Sequence, residues 1–176
     1  MEFKELIKER RSVRKYDPEK KVSREQLEEI IKQAQMAPTW KNSQNARYYC
    51  ILGDKLDEIR ENALPSFNQK NSLGAALVVT TYVKGLAGYG SDGPSDSIED
   101  VWGGYDLGLE NAYFVLAARN EGLDTLIMGL RDADYLREAL SIPENEVVVS
   151  VIAVGYRAVE PKAGARKELE EIARFI

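Results

Sequence analysis

Arg10-Arg11-Ser12-Val13-Arg14-Lys15-Tyr16-Asp17-Pro18 is the stretch on which the reading of this chain turns. Just before it, Phe3, Leu6 and Ile7 recur at helical spacing, so a helix is expected over residues 2–10. Tyr16-Asp17-Pro18 breaks that pattern. In an extended segment, alternate side chains point the same way. Arg10, Ser12 and Arg14 can therefore converge on one small anion. Arginine offers a planar fork of donors that fits phosphate, and a serine hydroxyl adds one more. Taken alone, the cluster also fits a solvated basic helix end that complements the helix dipole.

The surroundings sharpen the contrast. The chain has 176 residues, a net charge of −5, 44% hydrophobic residues and 30% charged ones. That profile fits one soluble globular domain over residues 1–176, large enough for a real core. An acidic balance argues against a nucleic-acid partner, whose phosphates call for a basic face. No stretch approaches a membrane span, and Met1-Glu2-Phe3-Lys4 does not read as a signal peptide, so a cytoplasmic protein is expected. Cys50 is alone in an apolar run and reads as a buried small hydrophobe. Histidine is absent. That removes Ser-His-Asp and Cys-His catalysis and most zinc chemistry, and no metal site is expected. Chemistry must come from carboxylates, lysines or a bound cofactor.

Downstream, Ser23-Arg24-Glu25-Gln26 is a capping box, stapled by Val22 and Leu27. It predicts a helix from Arg24 to about Met36. A strand is expected at 47–52, a helix capped by Asp54 at 55–63, polar chain at 66–72 and a buried strand at 75–83. Residues 84–97 read as a long binding loop or lid. The longest helix is expected at 98–121, buried nearly all round, with Gly122 as its stop. A strand at 125–129, a helix at 132–140, a strand at 147–156 and an amphipathic helix at 165–174 complete the order. An α+β fold, a mixed sheet flanked by helices, fits best.

Gly88-Tyr89-Gly90-Ser91-Asp92-Gly93 has the spacing of a dinucleotide fingerprint but neither leaves a strand directly nor opens a helix, so it reads as loop. Thr39, Asn42, Ser43 and Gln44 carry amides and hydroxyls that can bond the edge of a heteroaromatic ring. An ordinary helix-terminating loop fits them equally well. Met128-Gly129-Leu130 is a strand end whose glycine admits a close approach. Arg166 and Lys167 sit at the start of the last expected helix, where positive charge opposes the dipole unless an anion is bound.

In this order, Arg10-Arg11-Ser12-Val13-Arg14, Ala37-Pro38-Thr39 with Asn42-Ser43-Gln44, Gly122–Leu130, and Arg166-Lys167 followed by Leu169-Glu170-Glu171 resemble the signatures of the flavin-dependent nitroreductase family. Trp40 departs from that pattern where a small hydroxyl residue is usual, as do Asn45-Ala46 in place of Pro-Trp and Glu168 in place of proline. The resemblance implies a mainly antiparallel nitroreductase-like fold that binds FMN. Arg10, Arg11, Ser12, Arg166 and Lys167 would hold the phosphate, and Arg14 would lie near the pyrimidine edge. Met128, Gly129 and Leu130 would face the ring through the backbone. Gln69 and Asn71 are further candidate contacts, and Pro38, Thr39, Asn42 and Gln44 would reach the flavin from a partner subunit. It also implies a homodimer with FMN at the subunit interface.

NADH or NADPH would donate hydride to flavin N5 in a ping-pong cycle, and a nitroaromatic, quinone or related small-molecule acceptor would take the electrons. No side chain need act catalytically. The same scaffold could serve a narrower flavin reaction, such as dehalogenation, enone reduction or flavin fragmentation, or a non-catalytic flavin sensor.

Overall fold

The computed structural model describes residues 2–176. Its elements in chain order are α1 (Phe3–Glu9), α2 (Arg24–Ala34), β1 (Ala46–Ile51), α3 (Lys55–Ala63), α4 (Ser66–Asn71), β2 (Ala76–Val83), β3 (Tyr89–Gly90), β4 (Gly93–Pro94), α5 (Val101–Asn120), β5 (Asp124–Met128), α6 (Ala133–Ala139), β6 (Glu146–Gly155) and α7 (Leu169–Ile172).

The main sheet runs β1-β2-β6-β5, and every pairing in it is antiparallel. Its two central strands are apolar and covered on both faces. Alternation along them sorts the core into two layers. Leu77, Val79, Val151 and Ala153 pack with Ile59 of α3 and Leu136 of α6. Ala76, Val78, Ile152 and Val154 pack with Leu27 and Ile30 of α2 and Phe114 and Ala118 of α5. Burying each of the larger side chains contributes about 1.5–3 kcal/mol.

Helix α2 starts where the capping box requires. The Gln26 N–H donates to Ser23 Oγ at 3.2 Å, and the Ser23 N–H donates to the Gln26 side chain at 3.0 Å. Val22 and Leu27 share one apolar cluster, as a staple should. Gly122, at φ +79°, ends α5 in the left-handed region that glycine tolerates.

The segment after α1 is extended and held on both sides. Ser12 bridges Thr125 in parallel, and the Val13 N–H donates to the Thr125 carbonyl at 2.9 Å. Farther on, the Asp17 N–H donates to Tyr156 O at 2.8 Å, and the Ala158 N–H donates to Lys15 O at 3.0 Å. The segment thus meets β5 at Ser12 and Val13 and the chain that follows β6 at Lys15 to Asp17.

Several expectations are corrected. The polar stretch 66–72, to which the sequence assigns no element, forms α4 over most of its length. The helix expected at 165–174 shrinks to the single turn Leu169–Ile172, so Arg166 and Lys167 precede it and no helix dipole opposes them. Asp54 makes no side-chain cap. Helix α5 is not buried all round, since Val101, Tyr105 and Tyr113 stay exposed. Cys50 is exposed on the edge strand β1 rather than buried. The 84–97 loop differs from expectation only in holding the short hairpin β3–β4. Among the described residues, no helix is long and apolar enough to cross a membrane.

Candidate functional site

An ion cluster fixes the chain on which the site is built. Asp124, 1% exposed at its side chain, accepts two hydrogen bonds from Arg157, at 2.7 and 2.6 Å. It also faces Arg119 at 3.4 Å. Arg119 reaches Glu9 at 3.2 Å, and Arg157 bonds the Glu9 carbonyl and Glu160. The end of α1 is thereby tied to the start of β5 and the end of β6.

Immediately beyond, the basic residues behave differently. Arg10, Arg11, Arg14 and Arg166 pair with no carboxylate among the described residues. Burial, then the charge of Arg11, then that of Arg166 lower the Arg10 pKa. Arg10, Arg11 and Arg166 therefore share one neighbourhood although they come from the two ends of the chain. The Arg11 guanidinium donates to the Arg10 carbonyl at 2.8 Å, and Arg166 donates to Gly164 O and Ala165 O at 3.0 Å each. These bonds orient the groups and leave their charge uncompensated. Ser12 and Lys167 are exposed close by in the sequence.

The other end of the extended segment enters a cleft. Two residues past the Ser12–Thr125 bridge, Arg14 reaches the later half of β5. Arg14, Phe67, Asn68, Asn71 and residues 126–130 line a cleft of about 290 Å³. No carboxylate or thiol lines it. Asn68 donates to the Leu130 carbonyl at 3.1 Å. A Cβ added at Gly129 would meet no atom within 4 Å, so the wall there is open. Residues 10 and 14 are about 13 Å apart at the rise of a strand. A ligand filling both ends must be elongated and anionic at one end.

Of the site residues expected from the sequence, Arg14, Asn71, Met128, Gly129 and Leu130 come together in the cleft. Arg10, Arg11 and Arg166 come together in the cationic patch. Gln69 is a correction. Its amide donates to Glu61 O at 2.9 Å and Leu64 O at 2.8 Å, which ties α4 to α3 and turns the side chain from the cleft. Sequence reasoning missed Asn68 as a lining residue, although it stands in the same polar run.

Pro38, Thr39, Asn42 and Gln44 lie elsewhere. Their loop leads into β1, the sheet edge opposite β5. Lys41, Asn42 and Gln44 all take positive φ there. Asp106 of α5 holds the loop, accepting the Trp40 N–H at 2.9 Å and the Ser43 hydroxyl at 3.3 Å. The Trp40 ring packs on Trp102 with centroids 4.8 Å apart, and Trp102 packs edge-on against Tyr105. Within one chain this loop does not join the cleft.

Four similarities bear on this geometry, one to a family model and three to known proteins. The model of the nitroreductase family matches residues 7–156. The Bacillus subtilis protein YdgI, named as an NAD(P)H nitroreductase, is 28% identical over 99% of this chain and 97% of its own. An Archaeoglobus fulgidus protein named as an NADH dehydrogenase/NAD(P)H nitroreductase is 30% identical over 86% of this chain and 83% of its own. Among solved structures, a nitroreductase from Exiguobacterium sibiricum in complex with FMN has the same fold. Its TM-score is 0.85 at 23% identity, covering 100% of this chain and 98% of that one.

Proposed function

This chain belongs to the nitroreductase family, and from that premise we propose that it is an FMN-dependent oxidoreductase that carries electrons from NADH or NADPH to a small-molecule acceptor. One observation carries the reading. Three guanidinium groups without a carboxylate partner stand at one end of a pinned, extended segment, and the cleft wall residue Arg14 stands at the other. Like charges brought together in a partly buried place are costly unless an anion joins them. A phosphate joined by a chain to a flat heteroaromatic ring fits both ends.

When bound, FMN supplies the ring that accepts hydride and gives up electrons. The rest falls to the chain. Arg10, Arg11, Ser12, Arg166 and Lys167 hold the phosphate. Asn71 and Asn68 offer amides to the ring's polar edge. Arg14 places a cation on the cleft wall, where it favours negative charge on a reduced ring. With no acid, thiol or histidine in the lining, no side chain of the cleft acts as nucleophile.

The exchange proposed is ping-pong, with donor and acceptor using the open cleft in turn. A nitroaromatic or quinone is the acceptor class proposed. The loop of Pro38, Thr39, Asn42 and Gln44 can complete the cleft only from a second copy, because its own cleft lies beyond the opposite sheet edge. The exposed apolar residues Val101, Tyr105 and Tyr113 of α5, with Ile172 and Phe175, offer the surface for that homodimer.

The test is spectroscopic. Purified or FMN-reconstituted protein should show a flavin absorbance spectrum. Anaerobic NADH or NADPH should bleach it, and a quinone or nitroaromatic should restore it. Protein that retains no FMN when offered an excess refutes the reading; bleaching without restoration leaves a flavin sensor. Light scattering with and without FMN reads the dimer.

A further inference from the structure

Arg131 follows the cleft turn but does not line the cleft. It lies in a neighbouring hollow with Leu64 and Pro65, which shares Leu130 with the cleft. Its guanidinium forks back. One arm donates to the Gly129 carbonyl at 2.9 Å, and the other donates to the Val148 carbonyl on β6. The turn is thereby clamped to the sheet by its own following residue.

The direction of that clamp matters. A peptide unit is planar and trans, so its carbonyl and the next residue's N–H point opposite ways. Arg131 draws the Gly129 carbonyl toward its own side. The Leu130 N–H of the same unit must then point away from the Arg131 guanidinium, at a residue that borders the cleft as well as the hollow. It donates to no backbone or side-chain acceptor among the described residues. Glycine at 129 makes the reverse orientation cheap, since it lacks the Cβ that would forbid most backbone angles. Asn68 holds the following carbonyl, of Leu130, but does not fix the Gly129–Leu130 unit.

We propose that Arg131 is a positioning residue whose fork across Gly129 O and Val148 O locks the Gly129–Leu130 peptide with its N–H toward the flavin ring. The inference rests on the proposed function, since it concerns a donor toward bound FMN. The oxidised edge of a flavin accepts hydrogen bonds, whereas its reduced form gains an N–H donor. A peptide free to turn would offer its carbonyl to the reduced ring and stabilise it. A locked peptide cannot. Arg131 thus holds the flavin potential below the value that a loose turn would give.

Two variants separate the fork from the charge. Arg131→Lys keeps the cation but replaces the planar fork with a point ammonium that does not span two carbonyls. Arg131→Gln removes the charge as well and serves if the lysine variant does not fold. The readout is the Leu130 amide in a ¹H–¹⁵N correlation spectrum, with the flavin midpoint potential beside it. In the unsubstituted protein, adding FMN should move the Leu130 amide proton downfield. In Arg131→Lys that shift should be lost and the potential should rise. FMN affinity should fall no more than about tenfold, the loss of one hydrogen bond, because the phosphate cluster is untouched. A retained downfield shift in both variants, or a potential in Arg131→Lys that stays put or falls, overturns the proposal. Unsubstituted protein that binds no FMN would fail the functional reading instead.

Discussion

The Arg10 guanidinium stands in the field of Arg166, brought to it from the other end of the chain. Burial lowers the Arg10 pKa first, Arg11 next and Arg166 last, and no carboxylate offsets them. Such a cluster is built for an anion rather than for the stability of the ligand-free fold. Arg10→Ala should therefore weaken FMN binding by about ten- to hundredfold, the loss of a charge-assisted contact. The flavin-free protein should melt no lower than before, because repulsion has been relieved. Flavin fluorescence titration and thermal melts without FMN check both halves. Unchanged affinity would remove Arg10 from the phosphate site.

Gly129 gives a cleaner probe of the ring end. Its φ lies outside the left-handed region, and an added Cβ would touch no protein atom within 4 Å. Gly129→Ala should leave the flavin-free protein as stable as before, within about 0.5 kcal/mol. Any loss of FMN affinity then reports a clash with the ligand and not with the fold. If the variant binds FMN as the original does, the ring does not lie against this turn.

How far the sequence led depended on whether a signal was local. The capping box fixed the start of α2, and the unbroken apolar runs around Val78 and Ile152 marked the central strands. The contrast of Arg10–Arg14 with an acidic chain marked the site. Helix α4 escaped because Ser66–Asn71 has no apolar period, and its order comes from contacts such as the buried Asn68. The last helix misled in the opposite way. Leu169 and Ile172 keep helical spacing, yet both stay exposed, so only one turn forms. The meeting of Arg10 with Arg166, the inward turn of Gln69 and the clamp by Arg131 are tertiary facts that no spacing encodes. Asp124 did leave a trace: an acid at the start of an apolar strand needs partners once buried.

Those partners make Asp124 a test of how the site is supported. Its carboxylate lies between Arg157 and Arg119, and the same two arginines hold Glu9 just ahead of Arg10. Asp124→Asn keeps the shape but leaves two partly buried cations facing a neutral amide. The cost should be about 3–5 kcal/mol, as for a broken buried pair. FMN affinity should fall too, because the Arg10–Arg14 segment loses its anchor. Urea unfolding at neutral pH measures the first effect and flavin titration the second. A loss below about 1 kcal/mol would show that the ion cluster is not what secures this segment.

Glu110 offers a prediction about pH. It is buried on α5, and its pKa is pushed up to about 7, by burial first and by Asp106 second, against the pull of the Ala46 N–H and of Arg47. In the unfolded chain the group returns to its ordinary value of 4.5. Between those two values the folded state binds more protons than the unfolded one, so stability falls as pH rises. Above about 7 the penalty is complete, at about 3 kcal/mol for a shift of this size. Below about 4.5 it vanishes. Glu110→Gln removes the titrating group and keeps the polar shape. It should stabilise the protein at pH 8 by up to about 3 kcal/mol relative to the original. The advantage should shrink steadily as the pH is lowered toward 5. Urea unfolding of both proteins at pH 5, 6, 7 and 8 measures the difference. A gap that stays constant across that range would mean that Glu110 is already charged at pH 5 and that its burial is compensated within the fold.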